Sequence, residues 1–470
     1  MGAGAASPGL LRDAAPAAVR VAADAPVSEA NTDSAASEAN TDSAASEANT
    51  DAASGRIVVV GIGADGWDGL ASRAQRAVRD AEVLMGSARQ LALVPDSAAV
   101  RVPWPTPMLP ALPELLEKHR GRRVCVLASG DPMFHGIGVT LGRILGPERL
   151  DVIAHPSSAS LACARLGWAL HETPTVSLVN RPVATLAPDL HDGARLLVLS
   201  NDEHTPAAVA EVLRRSGFGD SRVVVLEQLG GPGERVVEGV AAPWDVPAGD
   251  PLNVIAVEVR GTGTLRLTRT PGLPDAAYSG DGQMTKHEVR ALTLSALAPA
   301  PGEVLWDVGG GSGTIGIEWM RSHPRCRAVV FEREESRVVQ IRDNSAALGV
   351  PALRVSATAP EAFARENSVP DAIFVGGGVT QSGLLDACWD RLRPGGRMVV
   401  NAVTTEAEAL VLQWHSMHGG ALRKFQIYRG EPLGGFTAWR PQLPVAQWTV
   451  TKPGYDPGTS PGNCTERDTP

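Results

Sequence analysis

The segment DVGGGSGT, Asp307 to Thr314, has the residue types and spacing that most clearly predict chemistry. The apolar run EVLWDV precedes it and helix-type sequence follows it, so its glycines lie between a strand and a helix. Glycines let the backbone approach a ligand closely, and a helix N-terminus offers unpaired N–H groups. Glu332 ends the next predicted strand, where a carboxylate can accept both hydroxyls of a ribose. The pattern predicts a site for a cofactor that contains a nucleoside.

These glycines do not distinguish NAD from S-adenosylmethionine as the cofactor. Gly311, Gly313 and Gly316 also satisfy the G-x-G-x-x-G pattern of dinucleotide sites, and both NAD and S-adenosylmethionine carry the ribose. Methyl transfer is favoured by Asp307 immediately before the glycines, by the strand PDAIFVGGG in fourth position, and by LRPGGRMVVNAV after it.

Two further glycine loops occur in the N-terminal half. The first, VVGIGADGWDGL, contains Gly61 and Gly63, and the second, LASGDPMFHGIG, contains Ser129, Gly130 and Asp131. The glycines predict tight turns at the ends of strands. From the residues alone, Asp131 either orients a cofactor or caps the following helix.

The elements that must position these loops alternate between strand and helix patterns. After the strand at Arg56, helix-type sequence runs through LASRAQRAVRDAEVLMGSARQL, followed by the strands RVCVLASGDP and LDVIAH around one helix. The pattern restarts after PSSASLACARLGW and then gives strands in succession, so two α/β lobes joined near Pro156 are predicted. The C-terminal half alternates regularly, which predicts a doubly wound α/β unit.

Composition gives the predicted domain limits. From Ser28 a nine-residue unit, SEANTDSAA, runs three times within residues 1–54, the last copy ending AAS; the unit has almost no large apolar side chain, so a disordered tail is predicted. The predicted order is a first α/β domain at 55–262, a Gly/Pro/Thr-rich linker at 263–282, a second domain at 283–450, and a polar tail at 451–470.

Charge and cysteine usage exclude several classes. The formal net charge is −9, of which the first 54 residues contribute −6, so the nearly neutral remainder argues against nucleic-acid binding. The five scattered cysteines predict a reducing cytoplasm and no structural zinc, and a metal site at His415 and His418 is not expected because no further ligand lies nearby. No apolar stretch reaches the length of a membrane span, so a cytoplasmic protein is expected.

Several segments in the same order resemble known families. TKHEVRALTLSAL, LWDVGGGSGTIGIEWMR, PDAIFVGGG and LRPGGRMVVNAVTTEAE resemble the C-terminal half of the precorrin-6Y C5,15-methyltransferase (decarboxylating) family of cobalamin synthesis. VVGIGADGWDGL, LASGDPMFHGIG and PSSASLACARLGW resemble a tetrapyrrole methylase domain. The resemblance covers roughly residues 56–450 and departs from the families in two places. Gly310 stands where relatives usually have Ala or Cys, which should leave the loop intact, and LVNRP replaces a frequent Leu-His-Gly-Arg-Pro.

The resemblance implies a two-lobed tetrapyrrole methylase fold followed by a Rossmann-like methyltransferase fold. It also implies S-adenosylmethionine as the cofactor and a precorrin macrocycle as the substrate. The N-terminal domain would methylate C5, and the C-terminal domain would methylate C15 and decarboxylate the ring C acetate. The expected cofactor residues are Gly61, Gly63, Ser129, Gly130, Asp131, Thr285, Asp307, Gly309, Gly310, Gly311, Ser312, Gly313, Glu332 and Ala359.

Methyl transfer from a sulfonium needs mainly a dry, in-line arrangement of the methyl group and an electron-rich carbon. The macrocycle's own enamine-like carbons supply the nucleophile, which fits a sequence without an apparent catalytic triad. A substrate with many carboxylates needs positive charge, for which Lys286, Arg290 and Arg181 are candidates. Each of the three also suits an ordinary solvated surface position.

Two other functions remain open from the residues alone. One is an NAD-dependent oxidoreductase that uses the dinucleotide pattern, and the other is a tetrapyrrole-binding protein with one inactive domain. A homo-oligomer is expected only because related methylases often assemble.

Overall fold

The computed structural model describes residues 55–261, 265–280, 282 and 284–454. The predicted tail at 1–54 and most of the predicted C-terminal tail lie outside these residues. The described chain contains an N-terminal domain of two lobes and a C-terminal domain built on one large sheet.

The first lobe is a five-stranded parallel sheet in the order β3-β2-β4-β1-β5. Its central strands are apolar and buried, as expected where helices cover both faces of a parallel sheet. The elements are β1 (Ile57–Ile62), α1 (Ser72–Asp80), β2 (Val83–Gly86), α2 (Ala88–Ala92), β3 (Val100–Pro103), α3 (Met108–Lys118), β4 (Val124–Ser129), α4 (Ile137–Leu145) and β5 (Leu150–Ile153).

The sequence pattern predicts helix throughout residues 70–91, and this prediction is wrong for residues 83–86. The residues VLMG form β2, a central strand that pairs with both β3 and β4, and all four are buried. Four consecutive apolar or small residues suit a strand that is buried on both faces, and this tertiary burial outweighs the flanking helical periodicity.

The second lobe is a mixed sheet in the order β6-β7-β10-β8-β9, in which only β6 and β7 are parallel. This agrees with the predicted succession of strands. The elements are α5 (Ser158–Leu166), β6 (Thr175–Ser177), β7 (Arg195–Leu199), α6 (Thr205–Arg215), β8 (Arg222–Glu227), β9 (Arg235–Val240) and β10 (Asn253–Glu258).

The C-terminal domain is a seven-stranded sheet in the order β13-β12-β11-β14-β15-β19-β16, whose strands run in one direction except β19, which is antiparallel to both of its neighbours; the hairpin β17-β18 lies beside it. Together with the two lobes, this confirms the predicted fold class. The elements are α7 (His287–Leu297), β11 (Val304–Val308), α8 (Thr314–Ser322), β12 (Arg327–Phe331), α9 (Glu335–Ala347), β13 (Arg354–Ser356), β14 (Ala372–Val375), α10 (Leu384–Arg391), β15 (Arg397–Ala402), α11 (Thr405–His418), β16 (Ala421–Phe425), β17 (Tyr428–Leu433), β18 (Phe436–Pro441) and β19 (Val445–Thr451).

The segment between the two domains contributes to the C-terminal core. Leu273 and Tyr278 are buried and pack with the apolar side chains of α7, α8 and the sheet. Glu318 on α8 is also buried and accepts hydrogen bonds from Gly272 N (2.6 Å), Leu273 N (3.1 Å) and the Tyr278 hydroxyl (2.8 Å). A buried carboxylate needs such donors, so the segment and α8 are joined by polar contacts as well as apolar ones.

Candidate functional site

The glycine loop of the C-terminal domain lies at the carboxyl end of β11, as predicted. Gly309, Gly311 and Gly313 have φ values of +75°, +55° and +75°, a left-handed region that strongly favours glycine. A Cβ on Gly309 would lie 2.9 Å from Gly377 N, so the loops after β11 and β14 touch through their backbones. Because side chains are absent here, a ligand can reach the backbone at the carboxyl ends of these strands, which is where doubly wound sheets bind cofactors.

Glu332 follows β12 and is buried beneath the glycine loop. Its Oε2 accepts a hydrogen bond from Gly311 N (2.8 Å), and its Oε1 accepts bonds from Arg333 N (2.9 Å) and Glu334 N (3.0 Å). The carboxylate therefore fixes the loop and the turn after β12 together. It also lines a cavity, which gives it the position predicted for a ribose acceptor.

Two adjoining cavities meet at this loop and share Gly309, Arg337 and Gly377. The smaller, of about 210 Å³, is lined by Glu332 and Ala359 among others and has the size of a nucleoside site. The larger, of about 680 Å³, lies between the glycine loop, α7 and the strands at residues 421–445. A cofactor in the smaller cavity would extend its reactive end toward the larger one.

Asp307 is buried at the end of β11 and lines the larger cavity. Its Oδ2 accepts a hydrogen bond from Gly316 N (2.9 Å). Burial, together with the smaller effect of the nearby Glu332 carboxylate, raises the pKa of this carboxyl to about 7 in spite of the hydrogen bond from Gly316, which lowers it. A cationic group in the larger cavity would favour its ionised form.

The structure separates the other predicted cofactor residues of this domain into two groups. Thr285, Gly310 and Gly311 line the larger cavity. Ser312 and Gly313 instead face α9: the Ser312 carbonyl accepts from Asn344 Nδ2 (3.2 Å), and a Cβ on Gly313 would lie 2.8 Å from Ile341. These two residues shape the loop against the helix.

Arg290 does not fit the prediction that it binds substrate. Its side chain is 0% exposed, it pairs with Glu318, and it donates to the carbonyls of Thr285 and Leu273. Its guanidinium is therefore out of reach of a substrate carboxylate, and we correct its role to a structural one. Lys286, by contrast, lines the larger cavity.

In the N-terminal domain, β1 and β4 are neighbours, so the two predicted loops meet. A Cβ on Gly61 would lie 2.1 Å from the Gly130 carbonyl oxygen, and Gly130 has a φ of +58°. Ser129 Oγ accepts bonds from Arg89 (2.9 Å) and Gln90 (3.0 Å). Asp131 Oδ1 accepts from Met133 N (2.8 Å), so it stabilises the turn before α4.

Arg181 lines a third cavity, of about 510 Å³, next to the carboxyl ends of β6 and β7. His135 lies nearby, in the second loop, where burial lowers its pKa and the Arg181 charge lowers it further. The structure thus brings Arg181 close to the second glycine loop.

Sequence reasoning missed much of the larger cavity. Its outer wall comes from Asn401 and from the strands near the C-terminus, whose sequence predicts no site. The run Gly376–Gly378 lies after β14 in a loop that faces the cavities, where the sequence predicts only the end of a strand. The missed wall residues are Phe425, Ile427, Arg429, Gln442, Leu443 and Val445.

His418, one of the two histidines considered above as metal ligands, packs among tryptophan side chains. His418 stacks on Trp414 (4.8 Å between ring centroids) and contacts Trp389 (4.3 Å). Within 55–261, 265–280, 282 and 284–454, no group of three or more His, Cys, Asp or Glu side chains is arranged to hold a metal ion. None of the helices in those residues is long and apolar enough to cross a membrane.

Comparisons with known proteins match both halves of the chain. Residues 56–243 match the tetrapyrrole (corrin/porphyrin) methylase family, and residues 276–452 match the precorrin methyltransferase domain family. A precorrin-6Y C(5,15)-methyltransferase [decarboxylating] of Mycobacterium tuberculosis is 52% identical over 400 residues, which cover 84% of this chain and 100% of that protein.

A protein of the same name from a Sinorhizobium species is 46% identical over 399 residues, covering 84% of this chain and 96% of the relative. The crystal structure of the C-terminal domain of precorrin-6Y C5,15-methyltransferase from Rhodobacter capsulatus is 43% identical. It covers 39% of this chain and 99% of that one, with a TM-score of 0.37.

Proposed function

Because the chain belongs to the precorrin-6Y C5,15-methyltransferase (decarboxylating) family, we propose that it methylates a precorrin at C5 and C15 and removes the ring C acetate as carbon dioxide. S-adenosylmethionine is the methyl donor in both steps. Because the family is one of methyltransferases, its membership argues against the alternative function of an NAD-dependent oxidoreductase. The observation that carries the proposal is the pair of adjoining cavities at Gly309, one with a buried carboxylate and one large enough for part of a macrocycle.

The division of labour follows the two domains. Residues 55–262 methylate C5, and residues 283–450, with the preceding segment in their core, methylate C15 and release carbon dioxide. In the C-terminal domain the nucleoside occupies the smaller cavity beside Glu332 and Ala359. The sulfonium end lies near Asp307, whose carboxylate compensates the positive charge. In the N-terminal domain the cofactor lies near the loops of Gly61 and Gly130.

The protein's part in the C15 step is to exclude water and to orient the two reactants. One wall of the larger cavity is apolar, formed by Val403, Phe425, Ile427, Leu443 and Val445. Such a wall suits the face of a macrocycle and strengthens the electrostatic contacts around it. The methyl group then has one direction of approach, from the glycine loop.

Arg429 and Lys286 supply the positive charge for the substrate carboxylates. Arg429 lines the larger cavity from β17 and donates to Glu288 through one terminal nitrogen (2.7 Å). Its Nε is buried and has no hydrogen-bond partner among the described residues. A buried donor without a partner is unfavourable, so an acetate or propionate oxygen of the substrate is the natural acceptor.

Changing both acidic residues of the C-terminal site tests the assignment of the two reactions. Asp307→Ala with Glu332→Ala should abolish C15 methylation and leave C5 methylation intact, because the loop loses its anchor and the cofactor its carboxylates. The two methyl groups are resolved by NMR after incubation with isotope-labelled donor. Glu335→Ala with Asp343→Ala, two exposed acids on α9, is the matched control. Survival of both activities in the first double variant would refute the assignment.

The substrate contact is tested separately. Arg429→Gln should raise the KM for the macrocycle by about 10-fold to 100-fold, as expected for loss of a charge-assisted hydrogen bond, with unchanged affinity for S-adenosylhomocysteine. Arg440, which faces Arg429 across the hairpin but is exposed, gives the control Arg440→Gln. An unchanged KM in the Arg429 variant, or an equal effect in the control, would remove Arg429 from substrate binding.

A further inference from the structure

An aspartate and a histidine that are not among the predicted site residues lie together in the N-terminal domain, one in the first glycine loop and one at the end of the LDVIAH segment. Asp65 follows β1, and His155 follows β5, which is the parallel neighbour of β1 in the sheet. The carboxyl ends of parallel neighbours lie at one edge, so the two side chains meet there. His155 Nε2 is 3.4 Å from Asp65 Oδ1, and the side chains are 10% and 30% exposed.

Three glycines around this pair have no room for any side chain. A Cβ on Gly63 would lie 2.5 Å from Asp65 Oδ1 and 2.6 Å from His155 Nε2. One on Gly69 would lie 1.9 Å from Asp65 Oδ2, and one on Gly61 would lie 2.8 Å from His155 N. The first glycine loop therefore folds closely around the Asp65–His155 pair.

The pair faces a cavity of about 310 Å³ at the junction of the two lobes. Its lining includes Asp65, His155, Pro156 at the lobe junction, and Gly230 from the second lobe. Asp65 Oδ1 is buried and accepts no hydrogen bond from the described residues. A carboxylate oxygen held against an imidazole without another donor is costly for folding, and such arrangements concentrate at functional sites.

The chemistry of methylating a ring carbon that carries hydrogen requires a proton acceptor. The carbon's π electrons form the new C–CH₃ bond while the S–CH₃ bond breaks, and that bond's electron pair remains on sulfur as a neutral thioether. The carbon then carries both methyl and hydrogen. The hydrogen must leave as a proton, so that the C–H electrons restore the conjugated double bond.

We propose that His155 accepts this proton in the N-terminal active site and that Asp65 positions the imidazole and compensates its charge once protonated. This inference rests on the proposed methylation of C5 by the N-terminal domain. His155 is then the catalytic residue and Asp65 the positioning residue, an arrangement that histidine and carboxylate pairs commonly adopt in general-base catalysis. The reaction needs no other co-reactant, because the proton passes from His155 to solvent after product leaves.

The test uses the full chain, the precorrin substrate and S-adenosylmethionine, with C5 and C15 methylation measured separately. His155→Ala should lower kcat for C5 methylation by about 100-fold or more, the usual contribution of a general base, with little change in KM for the cofactor. C15 methylation should keep its normal rate. Added imidazole should restore C5 methylation at least about 10-fold, because it replaces the missing acceptor. Asp65→Asn should show a smaller loss of kcat.

The chain offers a matched control in His171 and Glu172, another histidine and acid pair (3.6 Å), whose side chains are 82% and 75% exposed. His171→Ala should leave both methylations unchanged. A normal C5 rate in His155→Ala would overturn the inference. So would a loss of C5 methylation that imidazole restores in neither His155→Ala nor His155→Gly. Wild-type chain that adds no methyl group at C5 would instead overturn the proposed function on which the inference rests.

Discussion

The fold changes the protonation of Asp307. Its pKa of about 7 lies above the value of about 4 that an aspartate has in an unfolded chain. Because the folded state holds the proton more tightly, its contribution to stability is complete below about pH 4 and is lost as pH rises through 7. The site therefore becomes less stable as it becomes ready to bind a cation.

This gives a prediction for stability against pH. Asp307→Asn keeps the shape and the acceptor for Gly316 N but cannot ionise. Between pH 5 and pH 8, the free energy of unfolding of the wild-type chain should fall by about 3 kcal/mol relative to this variant. Urea unfolding at both pH values measures the difference. The exposed Asp343→Asn should follow the wild type, and parallel curves for wild type and Asp307→Asn would contradict the prediction.

Residues that act through the backbone were predictable from sequence, and residues that act through distant packing were not. The loop of Gly309 and the carboxylate of Glu332 follow from a strand, a run of glycines and a spacing. Arg290 and Arg429 carry equal charge in the sequence, yet one is buried against Glu318 and the other lines a cavity. That difference depends on contacts between residues far apart in the sequence: Arg290 and Glu318 are 28 positions apart, and Arg429 and Glu288 are 141 positions apart.

At the scale of elements, the glycine loop and β12 are packed more tightly than the sequence indicated. The resemblance predicts that Gly310, in place of the usual Ala or Cys, leaves the loop intact; in this chain a Cβ at that position would lie 2.1 Å from Val330 Cγ1. A contact that short is impossible unless Val330 moves. Gly310 therefore lies against Val330 on the neighbouring strand β12, where a larger residue would not fit without a shift.

We therefore expect Gly310→Ala alone to lower the free energy of unfolding by about 1–3 kcal/mol, because overpacking forces neighbouring side chains to shift. Combining it with Val330→Ala should recover part of this loss, since that change removes the clashing methyl group. A double-mutant cycle followed by urea unfolding measures the coupling. Gly435→Ala, in the hairpin where an added Cβ meets nothing within 4 Å, is the control. Additive effects of the two changes would show that residues 310 and 330 do not interact.

The elements that sequence reasoning recovered least are the last four strands. β19 joins the sheet antiparallel to β15, β16 pairs with β19 at the edge, and β17 and β18 form a separate hairpin that is largely exposed. Their alternation of apolar and polar residues is weak because several of these side chains face a cavity or solvent rather than a core. The regular βα units before them were predictable because their central strands, β11, β12, β14 and β15, are almost wholly buried between helices.

At the scale of the whole chain, the segment at 265–280 belongs energetically to the C-terminal domain. Besides burying Leu273 and Tyr278, it supplies three hydrogen bonds to Glu318, which in turn pairs with Arg290. Without the segment, Glu318 and Arg290 would keep their charges but lose several of their partners.

A fragment of residues 265–454 should therefore be more stable than one of residues 280–454 by about 5 kcal/mol, from two buried side chains and the lost partners of a buried carboxylate. Urea unfolding of the two fragments measures this difference. In the full chain, Tyr278→Phe should destabilise the C-terminal domain while Tyr428→Phe, at an exposed tyrosine, should not. Equal stability of the two fragments would show that the segment is only a connection.

The stretch from Gly261 to Leu267, which leads into this segment, limits how far the two domains can separate. Gly261 is held to the N-terminal domain by Asp192, and Leu267 is held to the C-terminal domain by Arg321. The six peptide steps between them can span at most about 22 Å, whatever path they take. The two domains therefore stay close together at any enzyme concentration. The effective concentration of one domain around the other is in the millimolar range. Diluting the enzyme does not dilute one half relative to the other, so the two methylations should stay in constant proportion from crowded to dilute solution.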